Sequence, residues 1–258
     1  MPSNNNHHGI YLYSSSNNNV TSNTANNNHR YGIYFHSYSE PSINNNVIGN
    51  TANDNNYCGI GLYGFGYSTI TGNTAINNRY GILLQYSRND TIAGNTAINN
   101  SCGIHIEYSF NNNIYNNYFN NTLNAGEFGS NNRWNTTIKP GPNIVGGPYM
   151  GGNYWSDYTG EDLNGDGFGD TLLPYTPSGI IYGGDYFPLI PILYAKGDLN
   201  GDGEITSADA AIALQIAAGG SASCDPATLD AADVSGDNRV TSLDALMILQ
   251  AAAGSIEL

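Results

Sequence analysis

The chain has 258 residues, with 7 basic against 21 acidic side chains and a formal net charge of −14. That length allows two domains, or one domain and a small module, and the acidic balance argues against nucleic acid as a partner. No apolar run reaches the length of a membrane span, and the three cysteines, Cys58, Cys102 and Cys224, do not make a disulfide framework.

Charged residues are only 11% of the chain, so the surface is expected to present amides, hydroxyls and aromatic rings rather than ions. The first residues, Met1-Pro2-Ser3-Asn4, do not read as a signal peptide. Glycosylation sequons nevertheless begin at Asn19, Asn89, Asn99, Asn120 and Asn135. The expectation is an extracellular or cell-surface protein, and a mature piece of a longer secreted chain.

Residues 1–122 carry an internal repeat. Gly9, Gly32, Gly59, Gly81 and Gly103 each open a short strand, at steps of 23, 27, 22 and 22 residues. The longer step reflects four extra residues within 36–46. A repeat this short cannot bury an apolar side alone, but stacking at the β spacing of ~4.8 Å aligns equivalent residues into ladders. Ile10, Ile33, Ile60, Ile82 and Ile104 are expected to form one inward ladder, and Leu12, Phe35, Leu62, Leu84 and Ile106 another. Further inward rows are Val20, Val47, Ile70, Ile92 and Ile114, and Ala25, Ala52, Ala75, Ala97 and Phe119. Asn23, Asn50, Asn73, Asn95 and Asn117 should stack at a turn, amide on amide. Two outward rows, Tyr11-Tyr34-Gly61-Leu83-His105 and Tyr13-His36-Tyr63-Gln85-Glu107, offer aromatic faces that suit sugar rings or sheet packing. Cys58 and Cys102 fall two coils apart, ~9.6 Å at that spacing, too far for a disulfide.

The Gly-Ile-x-Leu and Ile-x-Gly-Asn-Thr-Ala motifs, clearest around Gly59 and Gly81, resemble right-handed parallel β-helix proteins of the NosD-like, carbohydrate-binding and sugar-hydrolase group. The resemblance implies a mainly β fold of about five coils and says little about activity.

Residues 123–191 break the period. Asn153-Tyr154-Trp155-Ser156-Asp157-Tyr158 and Tyr186-Phe187-Pro188-Leu189 resemble the C-terminal segment of the same group, and the stretch is expected to cap the solenoid. Between them lies an acidic loop offering Asp162, Asn164, Asp166 and Asp170, with the Phe168 carbonyl. Oxygen donors at alternate positions suit calcium.

Residues 192–258 are expected to hold a linker and a small helical module. Asp198, Asn200, Asp202 and Asp209 stand at positions 1, 3, 5 and 12 of a calcium-type loop, with the Glu204 carbonyl as a further donor. Asp233, Ser235, Asp237 and Asp244, with the Arg239 carbonyl, repeat the pattern 35 residues later. Each loop runs into an Ala/Leu/Ile-rich stretch. Ile212, Leu214, Ile216, Leu246, Ile248 and Leu249 are expected in the module's core by helical spacing. The duplicated loop resembles the type I dockerin, an α-helical calcium module that plugs into a cohesin-type domain. By that resemblance, Ser207, Ala208, Ser242 and Leu243 are the expected partner contacts.

Three functions follow from these readings. The first is an extracellular scaffold or carbohydrate-binding component, assembled through the calcium module. The second is a polysaccharide-degrading hydrolase or lyase, or its substrate-binding fragment, delivered by the same module. Such an enzyme needs clustered carboxylates or a basic residue, whereas the repeat has only Glu40, Asp54, Asp90 and Glu107 as acids and Arg30, Arg79 and Arg88 as strong bases. The third is self-association through the open edge of the first coil.

Overall fold

The structure is a computed structural model that describes residues 7–177, 183–191, 195–201, 203–219 and 226–258. The chain folds as two compact units, Met1–Ile190 and Pro191–Leu258.

The first unit is a parallel β-helix. Its first sheet runs His8–Tyr13, Tyr31–His36, Cys58–Tyr63, Tyr80–Gln85, Cys102–Phe110 and Leu123–Ser130, each strand parallel to the next. A second sheet stacks Asn19–Thr21, Asn46–Ile48, Thr69–Thr71, Thr91–Ala93 and Asn113–Tyr115. A third stacks Thr74–Ile76, Thr96–Ile98, Tyr118–Asn120 and Tyr154–Trp155. The registers pair Ile10 with Ile33, Ile33 with Ile60, and so on to Ile104, as the period predicts. These inward rows form one buried core. The four extra residues of the second coil, 38–41, stay outside it, and the register resumes where Ser42–Ile43 pairs with Phe65–Gly66. The glycine that opens each strand is required by close approach: a Cβ on Gly32, Gly59 or Gly81 would stand 2.6–2.8 Å from the carbonyl oxygen of the next glycine in the row.

The first sheet has six strands rather than the five of the visible repeat. Leu123–Ser130 lacks the Gly-Ile opening, and its inward positions are Ala125 and Glu127, which pair with Ile104 and Ile106. Glu127 is fully buried where an aliphatic residue is the rule. Its carboxylate accepts from Asn132 Nδ2 at 2.6 Å and Trp134 Nε1 at 3.2 Å. Burial pushes its carboxyl up, and these two donors hold it back in part.

The three corners of each coil are held by side-chain ladders. In the expected row, each Asn Nδ2 donates to the next Oδ1 at 2.9–3.0 Å, from Asn23 through Asn50, Asn73, Asn95 and Asn117 to Asn153. The same nitrogens donate back to carbonyls one coil earlier, such as Asn50 to Val20 and Asn95 to Ile70. The next Oδ1 also accepts the backbone N–H of the preceding Asn. A second ladder links Asn28, Asn55, Asn78, Asn100 and Asn121 at 2.8–3.1 Å. The third runs Asn18, Asn45, Ser68, Asp90, Asn112 and Asn132. Each rung satisfies turn N–H and C=O groups that would otherwise be buried without partners.

The segment after the sixth strand extends the solenoid's own pattern. Asn153 continues the first ladder, and Trp155 stacks on Phe119 with ring centroids 4.9 Å apart, extending the Ala25–Phe119 row. Trp155 also meets Trp134 and Tyr175, each at 5.7 Å. Beneath this cluster the fully buried Asp185 accepts from Asn153 N at 2.7 Å, Trp155 Nε1 at 2.9 Å and Phe187 N at 3.0 Å. Burial pushes its carboxyl up to about 6 against the pull of those donors.

Among the described residues, the second unit has three helices, α1 (Ser207–Ala217), α2 (Pro226–Ala232) and α3 (Ser242–Ala252). Its core is mostly alanine: Ala210, Ala213, Ala231, Ala232 and Ala245, with Leu199 and Ile248. Small side chains let the helices approach closely and give little apolar burial per residue, so this unit depends more than the solenoid on its loops.

Asp90 is the one carboxylate in the corner ladders. Its backbone N–H donates to Asn112 Oδ1 and its Oδ1 accepts from Ser68 N, each at 2.9 Å. Its Oδ2 stands where the asparagine rungs carry an amide donor, and it has no hydrogen-bond partner among the described residues. Burial pushes the carboxyl well above its ordinary range, with the Ser68 N–H opposing. A carboxyl raised by folding is stabilised in its protonated form. The associated stability is whole below the unfolded pKa and drains away as pH rises toward the folded one. Asp90→Asn is therefore expected to raise stability near pH 7 by about 1–2 kcal/mol, one or two restored hydrogen bonds. The gain should shrink toward about pH 4, where the unfolded carboxyl is protonated as well. Thermal melts followed by circular dichroism across this range are the check; a gain that ignores pH would mean that packing alone had changed.

Candidate functional site

Three acidic loops share one backbone geometry. In each, the first aspartate accepts from the N–H groups three and five residues ahead, one on each oxygen. Asp162 takes Gly165 and Gly167, both at 2.7 Å. Asp198 takes Gly201 at 2.8 Å and Gly203 at 2.9 Å. Asp233 takes Gly236 at 2.9 Å and Asn238 at 2.8 Å. The fourth and sixth positions of every loop have positive φ: Gly165 and Gly167, Gly201 and Gly203, Gly236 and Asn238. That left-handed backbone is why glycine or asparagine stands there. The turn brings alternate side chains to one side, as a ring of oxygen ligands requires.

The last acid of each loop reaches back across it. Asp170 Oδ2 accepts from Leu163 N at 2.8 Å. Asp209 Oδ1 accepts from Leu199 N at 2.8 Å and Asn200 N at 3.1 Å, and Asp244 Oδ1 from Ser235 N at 3.0 Å. In the second unit these acids also serve the helices. Thr206 and Thr241 are N-caps, and Asp209 and Asp244 close capping boxes by accepting from the cap N–H groups at 2.8 Å. Asp209 and Asp244 are fully buried. Burial alone would raise their carboxyls, but the converging N–H and hydroxyl donors outweigh it and hold both below the ordinary range.

The donors fit a hard cation, because carboxylate, amide, hydroxyl and main-chain oxygens are all that these loops supply. Ser235 Oγ lies 3.3 Å from Asp233 Oδ1, a shorter arm than an Asn or Asp would give. Asp202 lies outside the described residues. Among the described residues, no three His, Cys, Asp or Glu side chains gather as a metal-holding group. The loop backbone and the first and last acids share this geometry, and the remaining candidate oxygens are those of the Asn164, Asp166, Asn200, Ser235 and Asp237 side chains and of the Phe168, Glu204 and Arg239 carbonyls.

The helix starts beside these loops are exposed at Ser207, Ala208, Ser242 and Leu243. Next to them a shallow groove of about 370 Å³ runs between α1 and α3, lined by Ala211, Leu214, Leu246 and Leu249 among others. The two sides correspond at the 35-residue offset: Ala211 with Leu246, Leu214 with Leu249. Leu214, Leu246 and Leu249 were expected in the core, yet they are about half exposed, at 51%, 51% and 47%. Ile248 is fully buried, and Ile212 and Ile216 pack at the core's edge. Both faces of α1 and α3 are apolar, so helical spacing could not say which face the alanines would bury.

On the solenoid, the outward row through Leu83 is covered in part. The Tyr31 ring takes the space a Cβ on Gly61 would fill, and Tyr31, Cys58 and Leu83 form a small cluster with Tyr34, Tyr57 and Tyr80 around it. Arg79 lies over the Tyr57 and Tyr80 rings, at 5.7 and 5.2 Å from their centroids. A further run of rings joins half-buried Tyr63 to exposed Tyr86 and Tyr108. Tyr63 meets Tyr86, and Tyr86 stacks on Tyr108, at 5.2 Å in both pairs. The sequence signal for Tyr86 and Tyr108 is the Tyr-Ser pair that recurs at 13–14, 38–39, 67–68, 86–87 and 108–109. His105 Nε2 lies 2.9 Å from Glu107 Oε1, and Gln85 Nε2 donates to Glu107 Oε2 at 2.6 Å. Cys58 and Cys102 are buried free thiols that both align with Tyr80, one on either side, while Cys224 lies outside the described residues.

The family described as periplasmic copper-binding protein (NosD) matches residues 2–160, and the dockerin type I domain matches residues 196–251. The chain is similar in structure to the periplasmic alginate epimerase AlgG, with 22% identity and a TM-score of 0.33, over 43% of this chain and 32% of that one. No curated protein matches it.

The double duty of the loop acids separates two substitutions. Thr241→Ala removes one cap and should lower the helical module's stability by about 1 kcal/mol whether or not calcium is present. Asp244→Ala removes the capping box and a candidate ligand together, so its deficit should widen when calcium is added to the wild type and variant alike. Denaturant titrations followed by helical circular dichroism, with calcium and with chelator, measure the difference.

Proposed function

The chain belongs to the NosD family and ends in a type I dockerin domain, and from that premise we propose that it is an extracellular assembly component whose β-helix is held in place by calcium-dependent docking to a cohesin-type domain. The observation that carries the proposal is the shared geometry of the 198–209 and 233–244 loops, each ending in an acid that caps a helix. Calcium bound there would fold and cap the helices in one step. It would present Ser207, Ala208, Ser242 and Leu243 on one exposed surface beside the α1–α3 groove. Asp198, Asn200, Asp202, Glu204 and Asp209 would hold the first ion, and Asp233, Ser235, Asp237, Arg239 and Asp244 the second. Asp162, Asn164, Asp166, Phe168 and Asp170 would hold a third, in the solenoid unit. The copper of the family's name calls for nitrogen or sulfur donors, whereas these loops offer oxygen, so calcium is the ion proposed for them.

The docked solenoid acts as a scaffold or carbohydrate-binding component. Its exposed tyrosines and its amide- and hydroxyl-rich surface support the carbohydrate part of that reading. No described helix is long and apolar enough to cross a membrane, and dockerin modules belong to proteins assembled outside the cell.

Two measurements test the proposal. Excess EDTA should abolish the helical circular dichroism contributed by residues 207–252 and leave the β signal; an unchanged helical signal counts against ion-coupled folding. In calcium, the full chain should be captured by an immobilised type I cohesin. The double variant Ala208→Asp, Leu243→Asp should lose capture while keeping its helices. Capture that survives both EDTA and the double variant would remove the docking reading.

A further inference from the structure

We propose that the cleft between the second sheet and residues 133–139 is a binding site for an anionic oligosaccharide. The cleft measures about 840 Å³ and is lined by Thr91, Asn113, Tyr115, Arg133, Lys139 and Phe187, with further hydroxyl and amide groups from residues 135–137. It is of the size that ligand sites usually have.

The placement of its two cations follows from the solenoid's register. On the outer face of the second sheet, Asn19, Asn46, Thr69, Thr91 and Asn113 form one row. Arg133 bridges to Asn113 in parallel and puts a guanidinium at the end of that polar row. Lys139 approaches from the far wall, its Nζ 5.8 Å from the centroid of the Tyr115 ring. Neither side chain is in an ion pair, the described pairs being His105–Glu107 and Lys196–Asp230. The cleft thus gathers two of the chain's seven basic residues, with no acid among its lining residues, in a molecule of net charge −14.

That lining selects a ligand class. Two separated cations ask for anionic charge on the ligand, and a guanidinium can grip a carboxylate with two parallel hydrogen bonds. The threonine hydroxyls and asparagine amides are both donors and acceptors, which matches a chain of hydroxyl groups. Tyr115 and Phe187 offer ring faces of the kind that lie against sugar rings. The outward row presents a new polar side chain every ~4.8 Å along the solenoid, so an extended ligand finds repeated contacts. A nucleic acid would bring one phosphate per residue toward a strongly acidic protein and is disfavoured.

The inference rests on the carbohydrate part of the proposed function and is independent of docking. The test is isothermal titration of the full chain, in calcium, with three probes: a hexamer of galacturonate, a sulfated galactan oligomer, and maltohexaose as the neutral chain. The expected result is that one or both anionic probes bind at least about tenfold more tightly than maltohexaose. Arg133→Gln and Lys139→Gln should each weaken that binding about tenfold, the scale of one charged hydrogen bond, and Arg79→Gln should leave it unchanged. Preference for galacturonate assigns the charge to carboxylates, and preference for the galactan assigns it to sulfates. Equal binding of maltohexaose would overturn the inference while leaving the carbohydrate reading in place. Binding of none of the three, or anionic binding indifferent to both substitutions, would overturn it as well, the second result pointing to ions bridging ligand and protein. Cohesin capture of the same preparation shows that a negative result is not a failure of the docking module.

Discussion

The solenoid depends on turning a corner three times per coil without leaving backbone groups unsatisfied. Apolar stacking supplies most of the gain from folding, but a stack of aliphatic side chains tolerates slippage and a hydrogen-bonded corner does not. The inner ladder asparagines, such as Asn50, Asn73 and Asn95, use the amide both ways, giving N–H groups to the next side chain and to a carbonyl one coil back, and taking a backbone N–H from the preceding coil. Each rung therefore fixes both the step between coils and the position of the turn. The next strand is delivered in register, with its isoleucine above the last one.

The departures mark where other demands intervene. Asp90 breaks the third ladder's chemistry without breaking its geometry, and the raised carboxyl is the consequence. Glu127 breaks the aliphatic row, but it does so at the last strand of the first sheet, where Asn132 and Trp134 can reach it. Asp185 likewise lies beneath Trp155 at the end of the third sheet. The buried acids thus tie the chain after the solenoid to the final coil by the same donor-to-oxygen contacts that the ladders use between coils.

Much of this was legible because a β-helix writes its contacts at a fixed distance along the chain. The rows of Ile, Leu/Phe, Val/Ile and Ala were readable from spacing, and all four lie in the core. The sixth first-sheet strand was not, because Ala125 and Glu127 do not look like Ile104 and Ile106. The continuation of the Asn and Ala rows into Asn153 and Trp155 was hidden as well, since 36 residues separate Asn117 from Asn153 where earlier rungs are 22 to 27 apart. In the helical unit the loops were legible for a different reason: oxygen donors at alternate positions and residues suited to positive φ are each required by the turn itself. Which helix face would be buried was not, since alanine on one side and leucine on the other carry no order of preference until the partner helix is known.

The three acidic loops, alike in backbone, differ in how they join the next stretch of chain. Asp209 and Asp244 stand at the third position of α1 and α3, so any ion they hold shares its ligand with the helix's capping box. Without an ion, each of these buried carboxylates would rely on the N–H and hydroxyl donors of its own loop and cap. Among the described residues no helix follows Asp170, and the segment around its loop is anchored by Phe168 against Leu189 and by the Trp155 cluster. An ion in that loop would stiffen a turn that the solenoid unit already supports. With ions bound as proposed, the same sequence pattern would act as a folding switch in one unit and as a local brace in the other. What separates the two is whether the last acid of the loop is also the first anchor of a helix.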